Sequence, residues 1–93
     1  MAKKDLLFIT VIGKDTKGIV ANISMCLFKQ KINIIDISQK VIEGYFIMSM
    51  LVDMTGASAS PEKLRAILEK LGEKMKLKIQ AQHADIFNAM HRI

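Results

Sequence analysis

The 93-residue chain is long enough for one compact domain with a modest core and too short for two. With 51% hydrophobic and 25% charged residues it falls outside the composition of disordered chains, and no apolar run nears the ~20 residues of a membrane-spanning helix. Fourteen basic residues against nine acids leave a net charge of +5, but the lysines are scattered from Lys3 to Lys78 among acidic and polar neighbours, the pattern of a solvated surface.

The first residues, Met1-Ala2-Lys3-Lys4-Asp5, lead directly into an apolar run with no cleavage-site pattern, so no signal peptide is expected. The lone Cys26 excludes an internal disulfide, and a cytoplasmic protein is expected. Residues 6–12 (LLFITVI) are apolar on both alternating faces except at Thr10, as in the middle of a sheet. The polar run from Gly13 to Gly18 then leads into a helix expected over residues 17–30. Ile19, Val20, Ile23, Cys26 and Leu27 form its buried stripe, and Cys26 reads there as a small core hydrophobe.

A strand follows from Asn33 to Ile42. Ile35, Ile37 and Val41 are expected on one face and Asp36, Ser38 and Lys40 on the other, which suits a sheet edge. Glu43-Gly44 is a two-residue hairpin connection. Residues 45–54 (YFIMSMLVDM) are again apolar on both sides and belong at the centre. Ser60-Pro61-Glu62 opens a second helix with an N-cap serine, a first-turn proline and an acid near the positive end. Leu64, Ile67, Leu68, Leu71 and Met75 carry its stripe, with Gly72 costing some helicity. Leu77, Ile79 and Ala81 alternate with Lys78, Gln80 and Gln82 in a second edge strand.

The order is therefore β-α-β-β-α-β with the first and third strands central. An antiparallel sheet ordered 4-1-3-2, with both helices on one face, satisfies these exposures and right-handed crossovers: a ferredoxin-like α+β plait. The expected organisation is a single domain over 1–93, with a core of about residues 5–84 and a helical tail at 85–93, where Ile86, Phe87, Met90 and Ile93 share a face. The uncovered face of the central strands is expected to be apolar and to need cover from the tail or from a second copy, so a homodimer is expected.

The turn Gly13-Lys14-Asp15-Thr16-Lys17-Gly18-Ile19-Val20 is the candidate site. A strand-to-helix turn exposes helix-start N–H groups, Asp15 is placed to cap one of them, and Gly18 keeps the backbone open to close approach. Gly13 to Ile23, followed by Lys31-Ile32-Asn33-Ile34, resembles the signature of the ACT domain family over about residues 5–84, and looks closest to stand-alone ACT proteins of the glycine-cleavage-repressor type. In that family the first strand ends in a polar turn, often Asp-Arg-Pro-Gly, and a Gly-x-Asn-Ile-like segment opens the second strand. Thr16-Lys17 departs from the family at Arg-Pro, and Lys31 departs where Gly is common.

The resemblance implies a non-enzymatic regulatory protein that binds an amino acid or a similar small effector between two copies, with no cofactor and no metal. It implies ligand contacts at Asp15, Thr16, Lys17, Gly18, Ile19, Val20, Asn33 and Ile34. Asp15 would meet the effector's amino group, the amides of Lys17, Gly18 and Ile19 its carboxylate, and Asn33 the effector or a neighbouring backbone. The alternative is a protein-interaction or RNA-binding adaptor on the same plait. For RNA, Leu7-Phe8-Ile9 and Gly44-Tyr45 resemble the RNP motifs of RRM domains, but Glu43 replaces a basic residue and Ile47 a stacking aromatic, and aromatics total only 5%. Catalysis finds no nucleophile–base pair, because Cys26, His83 and His91 are far apart in sequence. His83 and His91 alone make a poor metal set.

Overall fold

The computed structural model describes residues 5–84; the expected tail at 85–93, with His91 and Arg92, lies outside the described residues. The elements are β1 (Leu6–Lys14), α1 (Ile19–Lys29), β2 (Asn33–Ile42), β3 (Tyr45–Asp53), α2 (Pro61–Met75) and β4 (Leu77–His83). All strand pairs are antiparallel, and the sheet order β2-β3-β1-β4 is the expected plait read from its other edge.

Alternation along the central strands decides which face is the core. Leu7, Ile9 and Val11 of β1 and Phe46, Met48, Met50 and Val52 of β3 are buried in one cluster with Ile19, Ile23 and Leu27 of α1 and Leu64 and Leu68 of α2. Both helices therefore cover the same face of the sheet. The α2 N-terminus forms as its sequence dictates: the Ser60 hydroxyl accepts from the Lys63 amide at 3.2 Å, with Pro61 in the first turn. Gly72 is no helix defect. A Cβ there would stand 2.7 Å from the Leu77 carbonyl oxygen, so the missing side chain lets α2 close onto β4.

The hairpin is a tight one. Glu43 and Gly44 have φ of 49° and 82°, the pair of positive angles that a type I′ connection requires. α1 ends in a Schellman arrangement, with the Ile32 amide on the Leu27 carbonyl and the Lys31 amide on that of Phe28. Lys31 is the left-handed residue of this motif, at φ 59°. That explains why a glycine is usual here, and a lysine accepts a strain of about 1–2 kcal/mol instead.

Two expectations are corrected. A bulge at Ile35 breaks the alternation of β2, because Ile34 pairs with Val52 and Asp36 with Leu51. Ile37 and Val41 share the helix-side face with Ile34, while Ile35 is the extra residue and does not join them. The open face is also less uniformly apolar than expected. Gln80, Thr10, Ser49 and Ser38 stand side by side across all four strands. This polar row separates half-buried Phe8 and Leu51 on one side from exposed Ile12 and Ile47 on the other. Among the described residues no helix is long and apolar enough to cross a membrane.

Candidate functional site

The turn between β1 and α1 is held at one corner of the sheet. β1 runs to Lys14, opposite Tyr45, and the Asp15 amide then donates to the Gly44 carbonyl at 2.9 Å, beyond the last rung of the β1–β3 ladder. Asp15, Thr16, Lys17 and Gly18 are all exposed. Asp15 does not cap the helix as expected. The N-cap is Gly18, at φ 84° and ψ 8°, and no side chain caps α1. Three residues of chain turn the corner between Lys14 and Gly18, so Asp15 stands three positions before the N-cap.

The first intrahelical bond runs from the Asn22 amide to the Gly18 carbonyl at 2.9 Å, and the Asn22 side-chain amide donates to the same oxygen at 2.7 Å. Asn22 thus fixes the Gly18 peptide, a role the sequence pattern did not single out; an asparagine four residues after a pre-helical glycine was the available signal. The Ile19 side chain is buried and that of Val20 packs partly against the core. Only their backbone N–H groups are placed at the open start of the helix. The corner therefore offers an exposed carboxylate next to N–H donors with no capping side chain: an acceptor for an ammonium beside donors for an anion.

Asn33 and Ile34 are not part of this corner. Asn33 pairs with Asp53, which pairs with Leu6, at the opposite end of β1 from Lys14. The two ends of β1 are eight residue steps apart, about 27 Å at 3.4 Å per residue. Asn33 is exposed there, and Ile34 is half-buried against the core. One chain thus holds the two halves of the expected site at opposite ends of the sheet.

The remaining candidate groups are accounted for locally. Cys26 is half-buried, and burial pushes its thiol above the ordinary range, with the nearby Lys29 cation opposing the shift. His83 Nδ1 lies 3.9 Å from the Asp5 carboxylate at an exposed strand end. Among the described residues no group of three His, Cys, Asp or Glu side chains is arranged around a common point. A groove of 620 Å³ runs between α2 and β4, lined by Arg65, Glu69, Gly72, Glu73, Lys78 and Gln80 among others, and it shares no residue with the β1–α1 turn.

This arrangement has known relatives. The family model described as "ACT domain" matches residues 5–82, which is nearly all of the described chain. The chain belongs to the ACT domain family. It is 48% identical over 85 residues to a UPF0237 protein of Methanopyrus kandleri, covering 91% of this chain and 94% of that one. An ACT domain protein from Streptococcus pneumoniae superposes with a TM-score of 0.80 at 38% identity, covering 91% of this chain and 96% of the other. The ACT fold also matches a protein described as a candidate glycine cleavage system transcriptional repressor, with a TM-score of 0.74 at 24% identity. That match covers 88% of this chain but 47% of the larger one, so there the likeness is of fold alone. ACT domains are typically regulatory ligand-binding modules, and residues 5–82 of this chain carry the ACT plait.

Proposed function

We propose that this ACT protein is a non-enzymatic regulator that works as a homodimer in the cytoplasm and binds an amino acid or a similar small effector at the β1–α1 turn. The observation that carries the reading is the corner itself. The Asp15 carboxylate stands exposed beside the uncapped start of α1, and the hydrogen bond to Gly44 holds the turn in place. An α-amino acid carries one ammonium and one carboxylate and is complementary to that pair of features. Thr16 and Lys17 link Asp15 to Gly18 in the exposed turn, and the amides of Lys17, Gly18 and Ile19 take the carboxylate.

The placement of Asn33 supports the dimer. A side chain a full length of β1 away from Asp15, about 27 Å along the strand, can serve the same ligand only from a second copy. Effector binding at such a shared site favours one arrangement of the two chains, by as much as its affinity for the two arrangements differs. The adaptor reading is less well supported. The exposed Tyr45 and the half-buried Phe8 lie on the open face at opposite ends of the sheet, about 20 Å apart by strand rise, too far to stack adjacent bases.

Thermal shift against the twenty amino acids tests the proposal. At least one is expected to raise the melting temperature of the wild type, and Asp15→Ala and Asn33→Ala are each expected to abolish that shift while melting like the wild type without ligand. A flat response to all twenty, together with salt-dependent RNA binding, would favour the adaptor.

A further inference from the structure

The open face of the sheet is unevenly exposed. On the half nearer the hairpin, Ile12, Ile47 and Tyr45 are 51%, 39% and 53% exposed. On the other half Leu6, Phe8 and Leu51 are half-buried. All six belong to the two central strands and alternate with core residues, so they share one face. Both helices pack on the opposite face and do not account for the difference. Phenylalanine offers more surface than isoleucine, yet Phe8 is better covered than Ile12.

Charge divides the same two halves. Lys78 and Lys40 flank Ile12 and Ile47, and Lys14 stands beside Tyr45. At the other end Asp53 pairs with Leu6, and Asp36 pairs with Leu51 next to the bulge at Ile35. The polar row Gln80–Thr10–Ser49–Ser38 is the border between them.

The chain leaves the sheet on the covered half. His83, the last residue of β4, pairs with Leu7, so residues 85–93 begin beside Leu6 and Phe8. Their sequence places Ile86, Phe87, Met90 and Ile93 on one helical face, with Asp85 at the start and His91 and Arg92 near the end, the charge order a helix dipole favours. Nine residues are too few to hold a helix in water without docking.

We propose that residues 85–93 form a short helix laid across this half of their own sheet, with Phe87 over Phe8, Met90 over Leu51 and Ile93 over the bulge of β2. The spacing carries the register. Neighbouring strands lie about 4.8 Å apart, and three residues of helix rise about 4.5 Å. A helix that starts over β4 therefore sets every third residue over the next strand, in the sheet order β1, β3, β2. The width fits as well. Leu6 to Thr10 is about 14 Å of strand, room for one helix about 10 Å across between the end of the sheet and the polar row. The cationic end of the helix arrives over β2, where Asp36 stands. A second copy stacked on this face would also take the polar row and the lysines out of water, which the tail does not. The docked tail closes Phe8 to any base or partner chain.

Paired cysteines in the full-length chain, with Cys26→Ala as the background, test the placement. Under mild oxidation Leu51→Cys with Met90→Cys is expected to close a disulfide within one chain. Ile47→Cys with Met90→Cys, four residues away on the same strand, is expected to leave both thiols open to alkylation. A disulfide at the Ile47 pair, or at neither pair, would overturn the docking. A Leu51–Met90 bond found only in covalent dimers would assign the face to the tail of a second copy and overturn it too. Phe8→Ala and Phe87→Ala give a readout without oxidation. Each is expected to lower the melting temperature by several degrees, and the double variant is expected to melt close to the less stable single, because the second truncation has no ring contact left to remove. Fully additive drops, or a Phe87→Ala variant that melts like the wild type, would overturn the contact.

Discussion

The Asp15 amide and the Gly44 carbonyl meet at 2.9 Å, joining the β1–α1 turn to the β2–β3 hairpin. The consequence is geometric. The residues of the turn are referenced to the hairpin end of the sheet, so whatever approaches the start of α1 also approaches the end of β2. Gly18 completes the corner with a left-handed backbone that lets the chain enter the helix without a capping side chain.

Gly18→Ala is therefore expected to destabilise the protein. At φ 84° an L-residue is strained by about 1–2 kcal/mol. The new Cβ would also press on the Asn22 amide nitrogen at 3.2 Å, which holds the Gly18 carbonyl. Thermal unfolding should show a drop of roughly 4–8 °C per kcal/mol for a domain of this size. An unchanged melting temperature would mean that the turn is not held in this conformation.

Gly72→Ala sets two effects of opposite sign against each other. Alanine gains about 1 kcal/mol of helix propensity over glycine. Its Cβ, however, would lie 2.7 Å from the Leu77 carbonyl oxygen, a backbone atom of a strand anchored to β1. Such overpacking costs about 1–3 kcal/mol, so the clash is expected to win. Urea unfolding should show a lower midpoint at an unchanged slope. A higher midpoint would show that α2 can move off β4 freely.

Arg65→Ala is expected to cost about 1 kcal/mol by leaving the Ala81 carbonyl without its donor. It should also expose the β4 edge, and light scattering at rising concentration should detect assemblies larger than those of the wild type. A variant that keeps both its stability and its size would show that the guanidinium does not guard this edge.

Cys26 supplies a prediction about pH. Burial raises its thiol pKa in the folded state, so the native chain holds this proton more tightly than the unfolded chain. The contribution is fully present below the unfolded value of about 8.5 and is lost as pH rises above it, so stability should decline on the alkaline side. Cys26→Ala should flatten that decline. Native Cys26 should also alkylate more slowly than the same residue in urea.

The order of elements, the central and edge strands, the hairpin at Glu43-Gly44 and the α2 cap at Ser60 were all legible in the sequence. Each depends on periodicity or on local backbone chemistry within a few residues. The open turn around Asp15 was legible for the same reason, as a polar interruption between two apolar patterns. The bulge at Ile35 was not, because a single inserted residue shifts the register without changing composition. The reason for Gly72 was hidden too, since it lies in a strand that the helix meets only after folding. Asn33 shows the difference most clearly. In sequence it sits beside the end of α1, as if it belonged with the turn, but α1 returns the chain to the far end of the sheet before β2 begins. Strand direction, a property of the assembled sheet, sets Asn33 and Asp15 at opposite ends of the sheet, a β1 length of about 27 Å apart along the strand.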